Sequence, residues 1–166
     1  MNKLLTIGVI LSILMIGCKT LSKLPKEAQP QEEYLFKELT EKGLYLGISQ
    51  EEFKILRPNA EENADGYNFR TIFVDDSFSE QFMNIIYYFD KDGDKPLYEF
   101  IMILNPALNA DELAKEYFGL PNYQDKEWRF PPVQTDLPFT LAVWTYKNKI
   151  IIAATMKDTE WENGIE

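Results

Sequence analysis

Cys18 is the single cysteine of this 166-residue chain, which contains no histidine. Zinc sites and the usual nucleophilic pairs of hydrolases need cysteine or histidine in combination, so one cysteine alone excludes them. The 27 acidic residues could supply paired carboxylates for acid–base chemistry. Most of these residues fall in loops and helix starts, where pairs arise by chance. The sequence therefore predicts no enzyme and no cofactor.

The acidic run at 90–94, Asp-Lys-Asp-Gly-Asp, has a composition similar to that of calcium loops. An EF-hand loop requires glycine at its sixth position and a bidentate glutamate at its twelfth. Here Gly93 stands fourth and Ile101 stands twelfth. The run therefore predicts a solvated turn between two strands rather than a metal site.

The residues before Cys18 have the layout of a secretory signal peptide. Lys3 supplies an early positive charge, residues 4–16 are almost wholly apolar, and Gly17 is the small residue at the cut site. A retained membrane span would need about 20 apolar residues, and a buried core helix would carry polar residues on one face. The run at 4–16 is too short for the first and has too few polar residues for the second.

Met15-Ile16-Gly17-Cys18 resembles the lipobox of bacterial lipoproteins, with Met15 where leucine is usual. The resemblance implies that residues 1–17 are removed as a lipoprotein signal peptide and that the Cys18 sulfur is acylated with palmitate or a similar chain. It also implies export to the bacterial cell envelope and anchoring in a membrane. Lys19 is not the aspartate associated with inner-membrane retention in enterobacteria, so the outer membrane is expected.

The formal net charge of −10 limits the classes of partner. Nucleic-acid binding depends on lysine and arginine contacts with phosphate, and electrostatic docking on anionic lipid also needs basic residues. We therefore expect no nucleic acid, and we expect membrane contact to come through the lipid on Cys18.

The chain after the signal divides into a tether, one domain and a tail. Residues 18–33 are polar and contain two prolines, which predicts a flexible tether. Residues 34–157 are predicted to form a single domain, and residues 158–166 an acidic tail that frays. Periodicity and capping signals predict helices over 31–42, 49–57 and 109–118. Strands are predicted over 69–74, 84–89, 97–104, 127–130, 139–146 and 150–156.

The same order of elements occurs twice, at about 46–104 and 107–157. A helix that begins with a capping signal, at Ser49 and again at Asn109, is followed each time by a strand and a hairpin. Neither unit is expected to bury its sheet alone. The predicted fold class is α+β, with two helix–strand–hairpin units that share an antiparallel sheet and with helices packed on one face. Chance similarity between two ordinary helix–hairpin units is the alternative.

Partial motifs support a family resemblance over residues 46–156. They are Gly47-Ile48-Ser49, Phe89-Asp90 with Gly93 and Leu97, and Gly119-Leu120-Pro121 with Trp128. These residues resemble the SmpA/OmlA-type lipoproteins of the outer-membrane assembly machine and the related β-lactamase-inhibitor-protein-like fold. The first unit lacks the glycine of the family's Gly-x-Pro element, and the second lacks its opening glycine. The resemblance implies an α+β domain that works by binding other proteins.

The last predicted hairpin, 139–156, indicates a candidate protein-binding face. With a two-residue turn at 147–148 or 148–149, one face is aliphatic and consists of Leu141, Val143, Thr145, Ile150, Ile152, Ala154 and Met156. Trp144 and Tyr146 lie on the other face, and the alignment of the two units adds Tyr87 and Phe89 to it. An open face with these rings is typical of a protein-binding surface.

Four alternatives to an open face with these rings remain at this point. The 131–138 loop, the tail or a second copy of the chain could cover the rings, and a three-residue turn would exchange the two faces. The sequence thus predicts a lipid-anchored envelope protein that binds other proteins, as an assembly factor or as an inhibitor or scaffold. The other readings are a small apolar ligand or lipid bound between helices and sheet and, third, an enzyme that uses carboxylates.

Overall fold

The computed structural model describes residues 24–63, 68–76 and 78–165. Cys18, the signal peptide and the first part of the predicted tether lie outside the described residues. The described chain is an α+β fold with a seven-stranded antiparallel sheet and few helices. The α-helices are α1 Lys37–Thr40, α2 Gln50–Leu56 and α3 Ala110–Phe118. The strands are β1 Glu61–Asn63, β2 Arg70–Asp76, β3 Phe82–Asp90, β4 Leu97–Leu104, β5 Glu127–Phe130, β6 Leu141–Tyr146 and β7 Lys149–Ala154.

The strands lie in the order β1-β2-β3-β4-β7-β6-β5. Strands β1 to β4 are neighbours in chain order, and so are strands β5 to β7. The two groups of strands meet where β4 pairs with β7. At that junction Phe100 lies opposite Ile152, and Ile101 lies opposite Ile151. β4 and β5 have the predicted bounds, whereas β1 lies in a segment for which the sequence predicts a loop.

Alternate residues of each strand point to opposite sides of the sheet. We call the side that belongs to the main hydrophobic core the core face; it includes Phe73, Tyr87, Phe89, Phe100, Val143, Ile152 and Trp128. We call the other side the back face. In the described part of the chain no helix has the length and apolar character needed to cross a membrane.

Helix α2 is fixed at its start by the predicted capping box. The Ser49 side chain accepts a hydrogen bond from the Glu52 backbone N–H, and the Glu52 carboxylate accepts one from the Ser49 N–H. Phe53 is the buried residue of this helix, and its ring lies 5.2, 4.6 and 5.0 Å from the rings of Phe73, Tyr87 and Phe89. Four rings thus fill the space between α2 and the sheet.

Helix α3 is capped as the sequence predicts. The Asn109 side chain accepts hydrogen bonds from the N–H groups of Asp111 and Glu112. The helix ends at Gly119, which has a φ of +76° that favours glycine. The Gly119 carbonyl accepts a hydrogen bond from the indole N–H of Trp128 on β5 at 3.0 Å. The end of α3 is therefore tied to the edge strand.

The predicted helix over 31–42 is wrong as a continuous element. The structure has a 3-10 helix at Gln29–Glu33 and the separate helix α1, because Phe36 between them is extended with φ −57° and ψ 137°. That conformation buries the Phe36 ring against Phe82, Tyr117 and Phe118. Core burial of one ring therefore outweighs local helix propensity here.

The predicted tether is ordered from Leu24 onward. Leu24 and Ala28 are buried, and the buried Gln31 side chain bonds both backbone groups of Leu46, at 2.9 Å to the carbonyl and 2.8 Å from the N–H. These two bonds mimic a strand pairing and hold the entering chain against the domain. The described part of segment 18–33 is therefore docked rather than flexible.

Candidate functional site

The β6–β7 hairpin has a two-residue turn at Lys147 and Asn148, because Tyr146 pairs with Lys149. The register places Leu141, Val143 and Thr145 opposite Ala154, Ile152 and Ile150 on the core face, as predicted. Trp144 and Tyr146 consequently lie on the back face. Trp144 is partly buried and Tyr146 is 58% exposed.

The prediction that Tyr87 and Phe89 share this face is wrong. Both rings are 0% exposed and lie on the core face against Phe53 of α2. The candidate protein-binding face therefore keeps Trp144 and Tyr146 and loses the other two rings.

A register difference between the two hairpins explains the error. On β3 the rings of Tyr87 and Phe89 are in phase with the buried Ile85, whereas on β6 the rings of Trp144 and Tyr146 alternate with the buried Val143. Aligning the two hairpins by their aromatic residues therefore slips one strand by one position. Because side chains alternate with a period of two, a one-residue slip moves every side chain to the other face.

A continuous apolar row crosses the back face. Val74, Ile86, Ile101, Ile151 and Trp144 lie directly opposite one another on five adjacent strands. Cβ atoms of directly opposed residues lie about 5 Å apart, so these side chains touch in sequence. All but Ile151 keep part of their surface exposed. We call these five residues the apolar row.

One flank of the apolar row is polar and open. It contains Asp76, Asn84, Lys149 and Tyr146 with one apolar residue, Ile103, among them, and Asn84 donates a hydrogen bond to Asp76 at 2.7 Å. The Lys147 ammonium lies 5.1 Å from the centre of the Tyr146 ring. A central apolar strip beside a polar rim has the anatomy of a protein-protein contact surface.

The other flank is covered by the C-terminal segment. The sequence predicts that this segment frays, but in the structure it packs on the sheet. The Trp161 ring packs edge-on against Trp144, with 6.3 Å between centroids and an interplanar angle of 81°. Its indole N–H donates to the Glu99 carboxylate at 2.7 Å. Glu160 accepts hydrogen bonds from Arg70 at 2.8 Å and from the Tyr98 hydroxyl at 2.9 Å. Of the alternatives left open by the sequence, the tail is the one that covers Trp144.

The carboxyl group of Glu99 is buried where the tail contacts the sheet. Glu99 is only 4% exposed, and burial raises the pKa of its carboxyl to about 7, with the Glu160 carboxylate acting in the same direction. The Trp161 hydrogen bond and the Arg70 guanidinium lower the pKa in part. Two carboxyl groups therefore share one site in which Arg70 supplies the opposing charge.

An open groove of about 880 Å³ lies beside the covered region. Its lining includes Glu127, Arg129, Trp144, Trp161 and Ile165. Arg129 pairs with Glu127 and donates a hydrogen bond to the Ile165 carbonyl at 2.7 Å. The tail segment thus occupies the back face without filling the space next to Trp144 and Trp161.

The two edges of the sheet are poorly suited to strand addition. On β5, the Arg129 N–H and carbonyl are bonded by the Asn122 side chain, and the Glu127 carbonyl accepts from the Tyr123 N–H. At the opposite edge, β1 is a three-residue strand with all its residues exposed and two of them glutamates. Short, charged or self-capped edges resist pairing with another chain. Contacts with a partner are therefore expected at a face rather than at an edge.

The acidic run at 90–94 forms the predicted turn. The Asp90 carboxylate accepts the Asp92 N–H at 2.7 Å, and the Lys95 N–H donates to the Asp92 carbonyl at 3.0 Å. Among residues 24–63, 68–76 and 78–165, no group of three or more acidic, histidine or cysteine side chains is placed to hold a metal ion.

Sequence reasoning missed Glu99, Trp161 and Arg70 as parts of the site. The sequence carries a signal for two of the three: Glu99 is a lone charge in the apolar strand Leu97–Leu104, and Trp161 is a large ring in a polar tail. Comparisons of the chain with models of protein families, with curated proteins and with solved structures found no match. What this surface can bind is therefore argued from its geometry.

Proposed function

We propose that the chain is a lipid-anchored protein of the bacterial envelope that works by binding other proteins through the back face of its sheet. The observation that carries the binding half of the proposal is the apolar row with the exposed Tyr146 beside it. Tyrosine and tryptophan are the residues most enriched among those that dominate binding energy at interfaces. The proposal assigns the protein no catalytic role.

The anchoring half of the proposal rests on Cys18 and the sequence around it. The described chain begins at Leu24, which is buried against the domain. Six residues of extended chain reach at most about 20 Å. A lipid on Cys18 would therefore hold Leu24, and the domain on which it packs, within about 20 Å of the membrane surface.

We also propose that the sheet consists of two related units joined through β4 and β7, with α2 and α3 packed on the same side. The strand order supports this. From the junction outward, β4, β3 and β2 follow one another on one side, and β7, β6 and β5 follow one another on the other. The ring contacts of Phe53 with Phe73 and of Phe118 with Trp128 support the packing of α2 and α3 on the same side. This arrangement agrees with the resemblance to the SmpA/OmlA-type lipoproteins, in which the domain binds other proteins.

Binding of a small apolar ligand between helix and sheet finds less support. The rings of Phe53, Phe73, Tyr87 and Phe89 fill that space at centroid distances of 4.6 to 5.6 Å. Close-packed interiors of this kind leave little room for a guest molecule.

One experiment tests both halves of the proposal. The tagged full chain is expressed in a bacterial host with a palmitate analogue, and the solubilised envelope is passed over the tag resin. We expect the wild type to carry the analogue and to bring down a discrete protein partner. Cys18→Ala should lose the label and leave the membrane fraction, because its sulfur is the acylation site.

Tyr146→Ala should keep the label and lose most of the partner, about tenfold or more, since one truncated hot spot commonly costs 2 kcal/mol or more. Val133→Ala is the matched control, because Val133 is an exposed apolar residue in the 3-10 helix Pro132–Gln134 between β5 and β6. Continued labelling of Cys18→Ala would overturn the anchor, and equal recovery with Tyr146→Ala would overturn the back face as the binding surface.

A further inference from the structure

The C-terminal segment occupies a site built by side chains of the sheet. Arg70 and the Tyr98 hydroxyl form a clamp for the Glu160 carboxylate, with donor distances of 2.8 and 2.9 Å. The Arg70 guanidinium is itself held 4.0 Å above the ring of Tyr88. The clamp is therefore preorganised by residues outside the tail.

A second subsite takes the neighbouring aromatic ring. The Trp161 indole packs edge-on against Trp144 and donates its N–H to Glu99 at 2.7 Å. Glu99 and Trp144 belong to β4 and β6, so the subsite spans the centre of the sheet. Together the two subsites recognise a carboxylate followed directly by an indole.

Side chains hold most of the tail on the sheet. The tail has no helix or strand in its described part, and its Ile165 carbonyl accepts a hydrogen bond from Arg129 at 2.7 Å. The Glu160 and Glu99 carboxyls also repel each other within the site. An open groove of about 880 Å³ next to Trp144 and Trp161 leaves space that a longer ligand could fill.

We propose that this part of the back face is a peptide-binding site for a partner segment in which an acidic residue directly precedes an aromatic one, and that the chain's own Glu160-Trp161 occupies it as an internal competitor. A partner segment that displaces the tail exposes Trp144 and the covered end of the apolar row. The inference rests on the proposed protein-binding function and names the chemistry of the segment recognised.

Charged groups around the site set the pH range of the competition. Glu99 is faced by Arg70 of β2, Tyr88 of β3, Tyr98 of β4 and Glu160 of the tail, and the Glu127–Arg129 pair of β5 lines the adjoining groove. Burial raises the pKa of Glu99 to about 7, so the carboxyl is neutral at pH 5.5 and ionised at pH 8. A peptide carboxylate in the clamp should consequently bind more tightly at pH 5.5.

The test uses a fluorophore-labelled synthetic peptide with the sequence of residues 157–165, KDTEWENGI, and fluorescence anisotropy. The protein is the full chain with Glu160→Ala and Trp161→Ala, which empties both subsites. We expect this variant to bind the peptide at least tenfold more tightly than the wild type, in which the tail competes. A control peptide with alanine at the positions of Glu160 and Trp161 should bind neither protein.

Thermal melting shows whether the double variant is folded. Should it be unfolded, the single substitution Glu160→Gln replaces it, with at least threefold tighter peptide binding than wild type expected. Equal binding by wild type and the folded variant, or no binding by the variant at 1 mM peptide, would overturn the peptide site. That result would leave the proposed function standing if envelope partners still depend on Tyr146, so the two claims fail separately.

Discussion

Replacing Glu99 with glutamine should raise the free energy of unfolding by about 3 kcal/mol at pH 8 and leave it nearly unchanged at pH 4. The folded protein holds this carboxyl at a pKa of about 7, against 4.5 for an ordinary glutamate. Each unit of pKa difference corresponds to about 1.4 kcal/mol of differential stability between the two protonation states. Glutamine keeps an acceptor for the Trp161 N–H and has no charge to bury.

The sign follows from the direction of the pKa shift. A raised pKa in the folded state means that the contribution of Glu99 to stability is fully present below pH 4.5 and is lost as the pH rises through about 7. The measurement is chemical denaturation of both full-length chains at several pH values between 4 and 8. A stability difference that does not change with pH would show that Glu99 is not buried as an ionisable group.

Replacing Arg57 with methionine should lower the free energy of unfolding by about 3 to 5 kcal/mol, because it leaves a buried carboxylate without its counter-charge. Asp75 is 4% exposed, and Arg57 donates to its Oδ2 atom from Nε at 2.7 Å and from Nη2 at 2.6 Å. Its other neighbour is the Tyr87 hydroxyl at 3.4 Å. Burial raises the pKa of that hydroxyl well above its usual range, so it stays protonated and can only partly replace the arginine.

The double variant Arg57→Met, Asp75→Asn is the matched control for this prediction. Asparagine still offers an oxygen to Tyr87 and has no charge, so we expect most of the lost stability to return. Urea denaturation of the wild type, the two single variants and the double variant gives the coupling energy. A double variant as unstable as Arg57→Met would assign the loss to packing against the Phe78 ring, 5.0 Å from the guanidinium carbon, and not to charge.

Local signals in the sequence were sufficient for the elements that local interactions control. Ser49 and Glu52 bond each other at the start of α2, and Asn109 caps α3, so both helix starts follow from nearby residues. β4 is a continuous apolar run, and β5 alternates around Trp128; both strands have the predicted bounds. The two-residue turn at Lys147 and Asn148 fixed the faces of the last hairpin correctly.

Contacts between residues distant in the chain determine the features that the sequence does not predict. Phe36 breaks the predicted first helix because its ring packs on Phe82, which is distant in the chain. Trp161 is partly buried because Glu99 on β4 and Trp144 on β6 provide its hydrogen bond and ring contact. Tyr87 and Phe89 are on the core face because Phe53 of α2 packs against both rings. Periodicity shows that a strand has two faces, but tertiary partners determine which face is buried.

The binding role of the back face is tested most directly by site-specific photo-crosslinking in living cells. A photoreactive amino acid is placed at position 146 of the full chain and, as the matched control, at position 120. Both side chains are exposed, at 58% for Tyr146 and 81% for Leu120, but Leu120 lies in the loop that follows α3. We predict a discrete crosslinked protein adduct from position 146 and none from position 120. No adduct at 146, or the same adducts from both positions, would contradict a protein-binding back face.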